Sequence, residues 1–327
     1  MTLVAVQDLS VDYGRLKPVR AVRDVSLTIA ENEFVGLVGE SGCGKSTLGF
    51  AIARLERPPA RIVSGRVVID DLDWTNTDAK TLRPHRWQDV SVVLQSGMNA
   101  LNPVMTIGSQ FRDVMVQHTS VSPDEVLQRS YEVLDMVNVS RQVIGRYPHE
   151  LSGGMKQRVV IAMSMLLRPR LIIMDEPTTA LDMVVQRQIL ENLKRIREQQ
   201  SFSLLFISHD LGLVLELVDR VVVMYAGQVV EVQDAESLLD SPIHPYTRAL
   251  LRSLPDAQRD GGTFEGIPGT PPDLREELRG CAFAPRCPLV QAKCQTTSPP
   301  LVAVGTAQVR CLVTSQEVPR GSDHSVR

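Results

Sequence analysis

The chain has 327 residues, 43% of them hydrophobic, with a formal net charge of −3. That length holds one large domain or two unequal ones with a sizeable core, and the charge argues against bulk attraction to nucleic acid or anionic lipid. No run is long and charge-free enough to span a bilayer, since the apolar stretch from Leu204 is broken by His209, Asp210, Glu216, Asp219 and Arg220. Met1 to Asp8 lacks a basic n-region, so no signal peptide is expected. The expectation is a soluble cytoplasmic protein whose membrane association comes through partners.

Residues 1 to about 30 alternate apolar and polar side chains, through Val4, Val6, Leu9 and Val11 and then Val25, Leu27 and Ile29. This predicts a strand-rich, partly antiparallel opening. Tyr13, in the connection ahead of Gly14, is placed either to stack on an adenine ring or to pack. Phe34 to Val38 reads as a buried strand that runs into Gly39-Glu40-Ser41-Gly42-Cys43-Gly44-Lys45-Ser46-Thr47. Leu48, Ala51, Ile52 and Leu55 then recur at helical spacing, and Pro58-Pro59 ends the helix.

Strand, glycine-rich loop ending in Gly-Lys-Ser, then helix is the setting of a phosphate-binding loop. Backbone N–H groups turn inward around an anion there, and the helix N-terminus adds its positive dipole end. Lys45 is expected on the β- and γ-phosphates and the Ser46 hydroxyl on Mg²⁺. Cys43 sits inside this loop, either as plain filler or as a thiol whose ionisation the helix end favours.

A short strand is expected at Arg66 to Asp70. A buried one follows from Val90, ending at Gln95, which opens the loop Ser96 to Pro103. Polar groups at the C-terminal ends of strands in α/β sheets point into the ligand crevice. Residues 104–150 read mostly helical, including Glu125 to Val137. Leu151-Ser152-Gly153-Gly154-Met155-Lys156-Gln157-Arg158 opens a further helix, with Ser152 as N-cap and two glycines leaving N–H groups open to an anion. The strand Leu171 to Met174 closes in Asp175-Glu176-Pro177, an acid suited to Mg²⁺ beside one placed to polarise a water. Thr179 to Asp182 leads into a long helix carrying Ile189, Leu190, Leu193 and Ile196. A last buried strand, Leu204 to Ile207, ends in Ser208-His209-Asp210, and Arg220 to Val232 reads as a hairpin turning at Ala226-Gly227.

In this order the pieces resemble the ATP-binding subunit of an ABC transporter, over residues 1 to about 240. The resemblance implies an α/β P-loop NTPase (ABC ATPase) fold with an N-terminal antiparallel β subdomain and a helical signature subdomain at about 96–165. It implies ATP hydrolysis by two such subunits paired head to tail, identical or not, each ATP lying between one phosphate loop and the other subunit's signature. On that pattern Tyr13 stacks on adenine, while Gly39, Ser41, Gly42, Cys43, Gly44, Lys45, Ser46 and Thr47 hold the phosphates. Ser46, Gln95 and Asp175 surround Mg²⁺, Glu176 is the general base and His209 contacts the γ-phosphate. Ser152, Gly153 and Gly154 close on the partner's ATP, and Asp182 belongs to the loop that follows the catalytic strand.

Four of the five cysteines, Cys281, Cys287, Cys294 and Cys311, cluster late, separated by five, six and sixteen residues. Four thiolates suit a tetrahedral S₄ site, Zn²⁺ or an iron–sulfur cluster, though the spacing lacks the close Cys-x₂-Cys pairs usual for structural zinc. Residues 241–311 also carry His244-Pro245-Tyr246 and a Pro/Gly-rich stretch, and resemble the C-terminal extension of oligopeptide, dipeptide and nickel importer ATPases. That resemblance implies a [4Fe–4S] cluster on the four cysteines, two membrane permease subunits, an extracytoplasmic binding protein and a place on the cytoplasmic face of the membrane.

The implied substrate is an oligopeptide or dipeptide. The loop Ser-Gly-Met-Asn-Ala-Leu-Asn-Pro after Gln95 departs from the peptide-importer pattern, which keeps oligosaccharide and nickel systems as alternatives. An ABC ATPase acting on nucleic acid or ribosomes is the competitor from another class. With no heptad run and no basic patch, no nucleic-acid partner is expected. Residues 312–327, rich in Ser, Gly and polar groups, are expected to be a disordered tail.

Overall fold

The computed structural model describes residues 1–95, 97, 100–179, 181–254 and 266–314. In chain order the strands and helices are β1 (Thr2–Tyr13), β2 (Val19–Ala30), β3 (Phe34–Val38), α1 (Lys45–Ile52), β4 (Ala60–Ile69), β5 (Leu72–Asp73), α2 (Ala79–Leu82) and β6 (Val90–Val93). Then come α3 (Ile107–His118), α4 (Pro123–Met136), α5 (Gly153–Ser164), β7 (Leu171–Asp175), α6 (Met183–Gln199), β8 (Ser203–Ile207), α7 (Leu211–Leu215), β9 (Arg220–Tyr225) and β10 (Gln228–Asp234). The chain closes with α8 (Ala235–Asp240), α9 (Pro245–Arg252), α10 (Ala292–Thr296), β11 (Val302–Val304) and β12 (Ala307–Val309). They fall into two compact units.

One unit comprises Met1–Val4, Thr28–Phe34 and Val68–Ile207. Its centre is the parallel run β6, β7, β8, in register from Val90 opposite Leu171 to Asp175 opposite Ile207. All five residues of β7 and of β8 are buried, as expected for strands covered on both faces. Each fully buried Leu or Ile side chain there contributes about 1.5–3 kcal/mol. Helix α4 starts at Pro123, two residues ahead of the expected Glu125, because Ser122 and Glu125 form a reciprocal capping box. The buried Arg129 guanidinium donates to the Met165 and Leu166 carbonyls just past α5, satisfying groups that no helix bond reaches.

The second unit comprises Ala5–Leu27, Val35–Val67 and Ser208–Arg327. Here β3 lies parallel to β9, Val35 opposite Arg220 and Val38 opposite Val223. The hairpin partner β10 adds antiparallel, followed by β12 and then β11. The predicted hairpin is therefore extended by two strands from the end of the chain. The opening strand pair is present as β1 and β2, with β4 beside β1.

Several element boundaries differ from the sequence reading, two of them by more than two residues. Strand β4 begins at Ala60 rather than Arg66, because its first half, through Arg61 and Ser64, is mostly exposed and carries no apolar alternation. Helix α1 closes at Ile52 instead of running past Leu55, since Arg54 takes a left-handed φ of 52° that ends the turn before the prolines. Of the predicted tail, Val313 and Thr314 are buried, and residues 315–327 lie outside the described residues. No helix among the described residues is long and apolar enough to cross a membrane.

Candidate functional site

The second unit carries the glycine-rich loop between β3 and α1. Gly39 has φ 150° and Gly44 φ 104°, and a Cβ at either would lie 2.1 Å from a backbone oxygen, that of Met224 or of Ala21. Only glycine lets the loop close down on β9 and β2 at those points. The turn of the hairpin adds a further tether, the Gly227 N–H donating to the Cys43 carbonyl at 2.9 Å. Ser41 and Gly42 are exposed, while Lys45 is 5% exposed with its Nζ donating to the carbonyls of Gly39 (2.7 Å) and Glu40 (3.0 Å). The ammonium thus lies across the loop. Tyr13, the last residue of β1, shares a 3.1 Å hydrogen bond with Thr47, so the two are brought together while Ser46 sits half-buried between Lys45 and Thr47.

Cys43 is buried, and burial pushes its thiol up from the ordinary value, outweighing the opposing charge of Lys45. Of the two alternatives for Cys43, burial is against the thiolate and favours the filler role. In the native chain a maleimide is expected to label Cys43 more slowly than the half-buried Cys281 and Cys287, as read by peptide mass spectrometry. Equal or faster labelling of Cys43 would show that the loop opens. His209, in the same unit, is exposed. Its neighbours fix it: the Ser208 N–H donates to the Leu37 carbonyl, and Asp210 caps α7.

The first unit carries the acidic strand end. Asp175 closes β7 and is 2% exposed. The Glu176 N–H continues the strand pairing by donating to the Ile207 carbonyl at 2.9 Å, after which φ reverses to 45°. A positive φ at a non-glycine residue is held only where surrounding bonds over-determine it. Glu176 Oε2 accepts from Gln95 Nε2 at 3.0 Å and from the Thr179 hydroxyl at 2.9 Å. The structure thus pairs Gln95, predicted on Mg²⁺, with Glu176. Thr179 as an orienting partner escaped the sequence reading, because the contact depends on the reversed turn. Ser152 caps α5 through Met155 N–H (3.3 Å), with Ser152 and Gly153 exposed and Gly154 half-buried. Asp182 is exposed and caps α6 through Val185 N–H (3.0 Å). Ser96, Met98 and Asn99, in the loop after Gln95, lie outside the described residues.

The extension adds a buried polar core. Glu231 of β10, 0% exposed, accepts from the N–H groups of Ile243 and His244, and His244 Nδ1 caps α9 by accepting from Tyr246 N–H at 3.0 Å. Burial pushes the His244 imidazole down to about 3. It is neutral in the fold but protonates near 6.5 when unfolded, so it costs stability progressively as pH falls from about 6.5 to about 3. The loss is of order 4 kcal/mol over that window. His244→Asn keeps a capping acceptor and removes the titration, so its melting temperature is expected to fall less than that of the parent chain over that window. Equal slopes would remove His244 as the cause.

Cys281, Cys287, Cys294 and Cys311 all line one small cavity together with His244 and Phe283. Burial pushes the Cys281 and Cys287 thiols up, and Cys294 and Cys311 pack with Val304, Val309 and Val313. None of the four is in a disulfide. Among the described residues no group of three or more His, Cys, Asp or Glu side chains is placed to hold a metal ion. The expected [4Fe–4S] or zinc site is thus not supported among the described residues.

Residues 22–179 match the family described as ABC transporter, and residues 230–294 the oligopeptide/dipeptide transporter C-terminal region. The chain is 41% identical over 97% of its length to the oligopeptide transport ATP-binding protein AppD of Bacillus subtilis, covering 98% of that protein. It is 40% identical to the dipeptide transport ATP-binding protein DppD of Haemophilus influenzae, over 95% of each chain. The solved post-hydrolysis dimer of the ATP-binding cassette MJ0796, bound to ADP and Pi, superposes with a TM-score of 0.64 at 28% identity, covering 71% of this chain and 99% of that one. The chain belongs to the ABC transporter ATPase family, in the branch marked by the oligopeptide/dipeptide transporter C-terminal region.

Proposed function

We propose that this chain is the ATP-hydrolysing subunit of a membrane importer of oligopeptides or dipeptides. The observation that carries the reading is 41% identity across 97% of the chain to an oligopeptide transport protein, with the phosphate loop and Glu176 both intact. Two permease subunits, a second ATPase subunit and an extracytoplasmic binding protein complete the assembly on this reading, with the chain on the cytoplasmic face. Dipeptide and oligopeptide systems supply the names of the relatives above, so peptides rank ahead of oligosaccharides and nickel.

In the proposed site the Gly39 to Thr47 loop and Lys45 bind the triphosphate, and Tyr13 stacks on the base. Ser46, Asp175 and the Gln95 side-chain oxygen are the proposed Mg²⁺ ligands, oxygen donors of the kind that Mg²⁺ takes; when bound, the ion would neutralise charge on the β- and γ-phosphates. Glu176 accepts the proton of the attacking water, and Gln95 and Thr179 hold its carboxylate in place. His209 contacts the γ-phosphate. Ser152, Gly153, Gly154 and Asp182 serve the ATP on the partner's loop. Stabilisation of the leaving phosphoryl comes from positioned cations and N–H groups rather than covalent chemistry.

Reconstitution with the cognate permease and binding protein tests the assignment. Peptide is expected to stimulate ATP turnover, whereas stimulation only by an oligosaccharide or by nickel would overturn it. The [4Fe–4S] proposal rests only on the convergence of the four thiols on one cavity. Iron and acid-labile sulfide in anaerobically purified chain would support it, and their absence would leave a packed thiol core.

A further inference from the structure

We propose that Arg286, in the cysteine-bearing extension, is a positioning residue for ATP binding: with Tyr246 it clamps Glu40 and so holds the phosphate loop in its binding shape. This rests on the phosphate loop being the ATP site, as proposed above. All of the groups lie in one compact unit.

Every polar group of Glu40 is engaged. Its carbonyl accepts from Lys45 Nζ at 3.0 Å. Its N–H donates to the Tyr246 hydroxyl at 2.8 Å, and its carboxylate takes a two-pronged contact from Arg286, at 2.7 Å from Nη1 and 2.9 Å from Nη2. The residue that directs the phosphate-binding ammonium is thus itself fixed by two side chains from beyond residue 240. Neither is adjacent in sequence; Arg286 is 246 positions away.

Arg286 is built for the task. Its side chain is 4% exposed, and the remaining donors go to the Ile267 and Pro268 carbonyls and the Tyr225 hydroxyl. A planar fork fully engaged in this way holds one geometry, which the single point charge of a lysine does not reproduce. Its mounting is rigid as well. Tyr225, Tyr246 and Phe283 are all buried with ring centroids 4.7–5.4 Å apart. Tyr225 also follows Met224, whose carbonyl lies close enough to Gly39 to exclude a Cβ there. A purely structural role for Arg286 predicts lower stability of the extension with no change in nucleotide affinity. The clamp predicts a change in affinity.

The test is titration of the full-length chain with MgATP, with thermal unfolding of the nucleotide-free chain alongside. Arg286→Gln is expected to weaken MgATP binding about tenfold, within the range of ordinary site-to-site coupling. Arg286→Lys is expected to restore little of that loss. Glu40→Gln, which alters the more exposed end of the pair, carries the test if Arg286→Gln does not fold. The double variant is expected to bind as weakly as either single one, because both remove the same contact. Wild-type affinity in the single variants with only a lower melting temperature, or additive losses in the double variant, would overturn the clamp. Lys45→Ala serves as the reference: if it binds MgATP normally, the phosphate-loop reading itself fails, and the clamp with it.

Discussion

Glu176→Gln is expected to lower ATP turnover by the assembled transporter by about 10²- to 10⁴-fold while leaving MgATP affinity near that of the parent. Glutamine keeps the volume of the side chain and an acceptor for the Gln95 amide and the Thr179 hydroxyl, so the local bonds persist. It loses only the capacity to take a proton. The backbone is pinned by the Glu176 N–H to Ile207 carbonyl bond and the reversed φ, which leaves little room for another group to replace it. Steady-state phosphate release and nucleotide titration on the same preparation check both halves. Unchanged turnover would move the proton acceptor elsewhere. A parallel collapse of affinity would mean that Glu176 serves binding rather than hydrolysis.

Lys45→Ala is expected to weaken MgATP binding by at least about 30-fold, the lower bound for truncating one member of a buried charge-assisted contact. The side chain is buried, with its ammonium directed onto the loop carbonyls of Gly39 and Glu40. Without it, the phosphate charge would have only backbone N–H groups and the helix end to face. Titration calorimetry reads the loss directly. Binding within a few-fold of the parent would overturn the reading of this loop as the ATP site.

Much of the fold and of the candidate site was legible because the motifs are local. Ser152 and Asp182 cap the helices they were placed before, since a capping bond reaches only two or three residues along the chain. The buried strands β7 and β8 were visible as continuous apolar runs ended by polar residues. The exposed first half of β4 was not, because a strand with polar residues on both faces leaves no period to detect. The thiolate alternative at Cys43 followed from its place beside a helix end, but the packing around it set the opposite direction.

By itself the sequence determined which chemistry the chain carries: a phosphate loop in strand–loop–helix context, an acid pair after a buried strand, a signature turn and four late thiols. Each is a short segment whose composition constrains its own backbone. Only the tertiary structure decided which of these groups meet. It set Gln95 and Thr179 on Glu176, gathered the four thiols round one cavity, and brought Arg286 to Glu40 in the phosphate loop. Contacts between residues far apart in sequence follow from topology, and burial is a property of the whole packed environment. Neither is written in any one segment.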